Sequence, residues 1–297
     1  MANAVIGTGL SGLVGSKVVE LLSDQYSFQN IDLSHPTMPT DITQLDQVMR
    51  AVEASDADVL LHFAAYTDVT KAWEQRDDKS GVAYQVNVVG TQNMVEAAAQ
   101  TGKHLVHIST AYVFNGEKEA PYTEEDPLFP IEWYGQTKAW AEEVVQASEG
   151  SWTILRIDQP FRSDPFARPD VVHKIINGLL QNTLRPAFTN HYIGPTYVDD
   201  FAKVIEWVIK AKPTGIYNAT SGEQWTDYDL ACAVQEVLQL PGKVEKGDLN
   251  DYLRQSNRPY QRNTALSTQK LRQELPEPQM SVREALRHVI FEHSATS

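Results

Sequence analysis

The 297-residue chain has one cysteine, Cys232. No disulfide can close within it, and the composition fits a reducing compartment. Cys232 lies in the apolar stretch Tyr228-Asp229-Leu230-Ala231-Cys232-Ala233-Val234, where a small core residue is expected rather than a nucleophile. Positive charge is also scarce: 25 lysines and arginines against 39 aspartates and glutamates leave a net charge of -14. That balance excludes a general nucleic-acid binder and an anionic membrane surface as partner, because both need positive potential. No apolar run approaches the ~20 residues of a membrane span, and no secretory leader is read before the first apolar segment. The expected location is the cytoplasm. The eight histidines show no ligand spacing, so no metal site is expected.

What is present is an alternation. Apolar strand candidates at 4–8, 28–33, 59–63, 105–109 and 152–157 are separated by helical patterns at 12–23, 43–54, 82–100 and 134–147. Thr43 with Asp46 three residues on reads as a helix N-cap, and Thr101-Gly102 as a helix stop. Apolar strands in βαβ order indicate an α/β fold with a doubly wound parallel sheet, covered on both faces. Beyond Ile157 the pattern changes. Pro160, Pro165, Pro169, Pro186 and Pro195 punctuate short elements that cannot continue a regular sheet. A helix at 197–211 and a strand at 215–219 return to the main sheet, and helices at 227–240 and 281–292 follow. The expected division is a Rossmann nucleotide-binding domain at 1–157 plus 197–219, and a smaller substrate-binding lobe at 158–196 plus 220–297.

The first strand runs into Gly7-Thr8-Gly9-Leu10-Ser11-Gly12-Leu13-Val14-Gly15. In such a turn Gly9 lets the chain leave the strand sharply, Gly12 lets a pyrophosphate approach the backbone, and Gly15 lets the helix lie close. The helix start offers free N–H groups and a positive dipole end. Asp32 follows Gly12 by 20 residues, where a carboxylate accepts from adenosine ribose hydroxyls. No lysine or arginine stands within several positions of it to receive a 2′-phosphate, so NAD is expected over NADP. Asp41-Ile42 is placed to reach the adenine, with a helix-capping aspartate as the alternative.

Tyr134 and Lys138 lie one helical turn apart on one face. Lowering a tyrosine from about 10 by three units requires about 4 kcal/mol. An ammonium at about 5 Å, with an effective dielectric near 20, supplies about 3 kcal/mol. The pair has the magnitude to exchange a proton near neutral pH. Thr110 ends an apolar strand, on the side of an open sheet where ligands sit.

Together these segments resemble the extended short-chain dehydrogenase/reductase family, of the NAD-dependent epimerase/dehydratase type. The glycine motif, His62-Phe63-Ala64-Ala65, Asn87-Val88-Val89-Gly90-Thr91, Thr110 and the Tyr134/Lys138 pair carry the resemblance over most of the chain. It implies that Gly9, Leu10, Ser11, Gly12, Leu13, Val14, Asp32, Asp41, Ile42, Phe63, Ala64, Ala65 and Lys138 surround the cofactor. It further implies that Thr110 orients the substrate, that Tyr134 exchanges a proton with a sugar oxygen and that Asn87 supports the geometry. Lys138 would hold the nicotinamide ribose and tune Tyr134. Ala111, Tyr112 and Arg258 are the further substrate contacts, with Arg262 an alternative to Arg258.

Ile108-Ser109-Thr110-Ala111-Tyr112-Val113-Phe114-Asn115-Gly116, Pro121–Asp126, Gly194-Pro195-Thr196 and Leu266–Leu271 are similar to the branch that reduces 4-keto-deoxy sugars on nucleotides. Ala111 replaces that branch's aspartate, and Gln159 its usual aromatic residue. The implied activity is NAD(P)-dependent reduction of such a nucleotide sugar. A nucleotide-sugar 4-epimerase and a non-catalytic nucleotide-binding regulatory subunit are the alternatives. A homodimer is expected through the helices at 82–100 and 134–147, with Trp140, Val144 and Val145 supplying apolar surface beyond one core-facing stripe.

Overall fold

The computed structural model describes residues 3–35, 39–275 and 277–291. Its centre is a parallel sheet of β1 (Asn3–Thr8), β2 (Tyr26–Asn30), β3 (Val59–His62), β4 (His104–Thr110), β5 (Trp152–Ile157) and β6 (Gly215–Asn218). The spatial order is β6-β5-β4-β3-β1-β2. The chain leaves β1 towards β2 and returns on the other side of β1 as β3. The crevice beyond their carboxyl ends is therefore the switch point at which open α/β sheets bind ligands.

Strand side chains alternate between faces. Val5, Leu61, Val106 and Leu155 enter one core, and Ile6, Leu60, Leu105 and Ile154 the other. The first core packs on α1 (Leu13–Leu22) and the second on α2 (Leu45–Glu53). A helical stretch from Val82 contains a π turn at Gln85–Val89 and continues as α3 (Gly90–Thr101). Then come α4 (Trp133–Gln146), α5 (Val171–Leu180), α6 (Val198–Ala211) and α7 (Asp227–Val237). A third core unites Phe161, Val172, Ile176 and Leu179 with Leu230, Val234, Val282 and Leu286. It is roofed by short strand pairs such as Pro160–Phe161 with Thr196–Tyr197. Each buried aliphatic side chain contributes about 1.5–3 kcal/mol, so this cluster is a core in its own right.

Local differences from the sequence reading have physical causes. β2 runs Tyr26–Asn30 rather than 28–33, because Tyr26 is buried in the first core and pairs with Asn3. Asp32 consequently lies past the strand instead of closing it. Thr43 is not an N-cap: its N–H and hydroxyl both donate to the Asp41 carboxylate, at 2.9 and 2.8 Å, and α2 starts two residues later. The helix expected over 82–100 carries the π turn. Gly102, with φ +67°, ends α3 where the Thr101-Gly102 stop was read.

Among the described residues no helix is long and apolar enough to cross a membrane. None of their His, Cys, Asp and Glu groupings could hold a metal ion.

Candidate active site

The glycine turn fits a dinucleotide. Gly9 has φ +69°, and a Cβ there would stand 2.6 Å from the Phe63 carbonyl carbon, so the turn is pressed on the end of β3. A Cβ at Gly15 would lie 2.7 Å from Leu10 Cα. At Gly12 it would meet only Gly9 O, at 3.2 Å, leaving the outward face open as a cradle. Gly12 caps α1 without a side-chain hydrogen bond, and the first turn holds no acid to repel phosphate. Leu10 is buried in the core, so only its backbone faces the crevice. Ser11 is exposed, and Leu13, Val14, Phe63, Ala64 and Ala65 are half-buried around it.

Asp32 is turned back onto this loop. Its carboxylate accepts from Gly9 N, from Ser11 Oγ at 2.6 Å and from Asn30 Nδ2 at 3.0 Å. Asp41 is engaged by Thr43. Ile42 is buried against Gly90, and its carbonyl accepts from Asn93 Nδ2 at 2.8 Å. The expectation that Asp41-Ile42 faces the adenine is corrected for the Ile42 side chain, which packs into the core instead.

Thr110, Tyr134 and Lys138 come together at the carboxyl end of β4. The Thr110 hydroxyl is near enough to the Tyr134 phenol to lower it, and its Oγ1 accepts from Tyr112 N at 3.3 Å. Lys138 Nζ donates to Ile108 O at 2.7 Å and lies 3.0 Å from His107 Nε2. The electrostatics differ from the simple pair. Burial, with the Glu132 carboxylate, raises the Tyr134 phenol above its ordinary range, and the Thr110 hydroxyl opposes them. Burial lowers Lys138 to about 7 against the pull of Glu142. Lys138 is not among the groups that act on Tyr134 in this arrangement. Both groups are out of water, desolvation is the largest influence on each, and Nζ is drawn towards β4.

Asn87 sits inside the π turn, a distortion frequent at functional sites. Its Oδ1 accepts from Tyr66 N at 2.7 Å, and its Nδ2 donates to Tyr66 O at 3.2 Å and Thr137 Oγ1 at 2.9 Å. One side chain thereby ties the segment after β3 to α4.

Glu132 and Asp158 were not singled out from the sequence, and His107 was read only as a strand residue packed against a helix. Glu132 caps α4, accepting from Tyr134 N at 2.8 Å and Gly135 N at 2.6 Å, and burial raises it to about 7. Glutamate is not a favoured N-cap, so no capping signal marked it. His107 and Asp158 owe their places to distant partners. Gly135 has a visible reason: a Cβ would lie 2.9 Å from the Tyr112 carbonyl carbon, so only glycine lets α4 start there.

On the substrate side Tyr112 meets Tyr134 edge-on, with centroids 5.9 Å apart. Ala111 is fully buried among Val113, Phe114, Tyr122 and Ala139. Its expected place on the substrate wall is corrected, since the short helical turn at 111–113 carries it into the core. Arg258 lies 4.7 Å over the Tyr260 ring, and its charge acts on Glu132 and Tyr112. Arg262 is exposed and donates to Asn250 Oδ1. A cavity of about 1010 Å³ opens beside α5 and α7, lined in part by Gln159, Lys174, Arg185, Phe188, Tyr252 and Tyr260. Trp140 stacks edge-on with Tyr84 and Trp133 of its own chain, at 5.7 and 5.5 Å, and Val145 is buried in the second core. Val145 is therefore not the surplus surface expected of it, whereas Trp140 and Val144 are half-buried.

Comparison with known proteins agrees with this architecture. The family model described as RmlD substrate binding domain matches residues 3–294. A dTDP-4-dehydrorhamnose reductase of Aggregatibacter actinomycetemcomitans is 30% identical over 285 residues, covering 92% of this chain and 93% of that protein. One from Mycolicibacterium smegmatis is 29% identical over 98% of this chain and 86% of its own length. The crystal structure of dTDP-4-dehydrorhamnose reductase from Bacillus anthracis in complex with NADP superposes with a TM-score of 0.85 at 25% identity. It covers 96% of this chain and 98% of its own. The chain belongs to the RmlD substrate-binding-domain family within the extended short-chain dehydrogenases/reductases.

Proposed function

We propose that the protein is an NAD(P)H-dependent reductase of a nucleotide sugar, acting on the keto group of a 4-keto-deoxy sugar. The observation that carries this reading is the gathering of Thr110 at the end of β4 with Tyr134 and Lys138 of α4, Lys138 Nζ being tied to the Ile108 carbonyl of the same strand, beside the crevice that holds the open Gly12 cradle. When bound, a reduced nicotinamide supplies the hydride. The Tyr134 hydroxyl gives its proton to the substrate oxygen, and Thr110 Oγ1 holds that oxygen in line. A phenol raised by burial enters this step protonated, as a donor must. Lys138 directs an N–H to the nicotinamide ribose, and Asn87 keeps the segment after β3 in register with α4. Gly9–Val14 cradle the pyrophosphate, Asp32 accepts from the adenosine ribose of NAD, and Phe63–Ala65 line the opposite wall. Arg258 and Tyr112 receive the substrate, with its nucleotide in the lobe cavity. The relatives named dTDP-4-dehydrorhamnose reductase support this substrate class. With the domain division read from the sequence, the cofactor belongs to the sheet and its two cores and the nucleotide sugar to the third core.

The epimerase and regulatory-subunit readings are not favoured. A homodimer through the helical stretch from Val82 to Thr101 and α4 rests on the exposed Val82 and the half-buried Trp140 and Val144; sedimentation of Trp140→Asp against the parent chain tests it. A cytoplasmic location rests on the single cysteine and is checked by fractionation.

The deciding experiment follows reduced-cofactor absorbance over a panel of nucleotide sugars. Stoichiometric oxidation with a 4-keto-deoxy sugar nucleotide is expected. Sugar interconversion without net oxidation would make it an epimerase, and absence of any turnover a regulatory subunit.

A further inference from the structure

Beneath the catalytic helix, β3 and β4 set two histidines side by side. His62 and His107 are register partners with ring centroids 5.3 Å apart, and both are buried. His62 is satisfied at both nitrogens, by Thr8 Oγ1 at 2.8 Å and Thr91 Oγ1 at 3.1 Å. His107 has a single partner: its Nε2 lies 3.0 Å from Lys138 Nζ, while its buried Nδ1 has none.

We infer that His107 is the positioning residue of Lys138, a neutral imidazole that accepts from the ammonium and aims its remaining N–H at the cofactor ribose. The inference rests on the proposed role of Lys138. An ammonium has three donors. Ile108 O takes one and His107 Nε2 the second, which leaves one for a ligand.

The ionisable groups around Lys138 make this acceptor necessary. On α4, Tyr134 is a protonated phenol, and Glu142 is spent. Its oxygens accept from Arg156 of β5, at 2.9 and 2.7 Å, and from Ser109 Oγ at 2.5 Å. β3 contributes His62, which burial lowers to about 3 and keeps neutral. The turn before α3 and α3 itself contribute the neutral Asn87 and Thr91. With no free carboxylate at Nζ among the described residues, one carbonyl and one imidazole hold the charge in place. To accept through Nε2, His107 must carry its proton on Nδ1. Burial and the Lys138 charge keep the ring neutral. The unpartnered Nδ1 is the consequence of that tautomer, and an orphaned buried donor is kept only where something else requires it.

The test measures NADH and NADPH affinity by fluorescence across pH in the full chain, with circular dichroism to verify folding. His107→Leu removes the acceptor. Affinity is expected to fall about tenfold, and its alkaline loss to move about one unit towards acid, as one unit of proton affinity corresponds to tenfold. If leucine is not tolerated in β4, His107→Met serves the same purpose. His107→Gln puts an amide oxygen where Nε2 was and is expected to restore both values. An unchanged pH profile in the apolar variant, with normal binding by the parent chain, overturns this inference alone, and so does equal loss in the leucine and glutamine variants. Failure of the parent chain to bind either cofactor overturns the cofactor reading together with it.

Discussion

The two halves of the crevice are built by different means. On the cofactor side the wall is backbone: a glycine turn, the ends of β1 and β3, and the one amide of Asn87 that clasps Tyr66. On the substrate side it is made of side chains from distant segments. Asp158 Oδ2 accepts from Gly194 N at 2.9 Å and from Thr264 Oγ1 at 2.7 Å, partners 36 and 106 residues away. Asn263 Nδ2 reaches Lys118 O at 2.8 Å across 145 residues. Buried polar atoms there also lack partners, among them Asp158 Oδ1, His191 Nε2 and Gln261 Oε1. A wall of backbone is insensitive to most substitutions and suits a ligand that does not vary. One of side chains changes with every substitution.

The largest effect expected is at the junction of the halves. Tyr134→Phe keeps the ring packed on Tyr112 and removes the exchangeable proton. Turnover should fall about 10²–10⁴-fold, the usual worth of general acid–base help, with cofactor affinity nearly unchanged. Lys138→Met should impair both. Steady-state rates beside fluorescence titrations separate the cases, and near-normal rates for Tyr134→Phe would remove the mechanism.

Within the backbone half, Gly15→Ala and Gly12→Ala should differ in kind. The first drives a Cβ into Leu10, and overpacking of that sort costs about 1–3 kcal/mol, read as a lower denaturation midpoint. The second meets only Gly9 O at 3.2 Å; the chain should keep its midpoint yet bind cofactor more weakly. If Gly12→Ala leaves the affinity intact, the cradle is not where the pyrophosphate lies.

The same contrast explains what could be read from the sequence. Alternating apolar residues such as Val5/Ile6 and Leu60/Leu61, and glycines three apart, are local signals. They carry the sheet, its helices and the cofactor loop. Thr110, Tyr134 and Lys138 were also visible, because a strand end and an i, i+4 spacing are local too. The π turn at Gln85–Val89 was not, since its cause is the tertiary demand on Asn87. Glu132 and Asp158 escaped notice, and His107 was read as mere packing, for a related reason. A histidine 31 residues from its lysine and an aspartate 106 residues from its threonine carry no mark in their neighbourhoods. Ala111 shows the converse, a position inside a recognised motif whose side chain the fold turns into the core.

On the substrate side, Asp158→Asn should make the chain more stable at pH 8. Burial raises Asp158 from 3.8 to about 6. Its folded-state value exceeds the unfolded one, so the protonated carboxyl favours the fold. That contribution is present below about pH 4 and is lost as pH rises through about 6. Asparagine keeps an oxygen for Gly194 and Thr264 and removes the charge. The gain should be about 1–3 kcal/mol above pH 7 and vanish near pH 4, measured by urea denaturation at both. A loss at pH 8 would mean that the carboxylate is held by a partner stronger than its two hydrogen bonds.

The smallest and most discriminating effect concerns the adenosine end. Asp32 is anchored by Gly9 N, Ser11 Oγ and Asn30 Nδ2, so its charge is fixed at the mouth of the glycine turn. Ribose hydroxyls can donate to such a carboxylate, whereas a 2′-phosphate meets like charge. NADH should therefore bind more tightly than NADPH, even though the Bacillus anthracis relative was crystallised with NADP. Asp32→Asn removes the charge and keeps one acceptor. Because the carboxylate also organises the loop, both affinities should decline, and only their ratio isolates electrostatics. That ratio should shift towards NADPH by about tenfold, close to the ~1.4 kcal/mol of one charge-assisted contact. Titration of both reduced cofactors at low and moderate salt decides it, since repulsion at an exposed site weakens with screening. A ratio insensitive to Asp32→Asn and to salt would place the discriminating group elsewhere, and Asp32 would then serve only to hold the glycine turn.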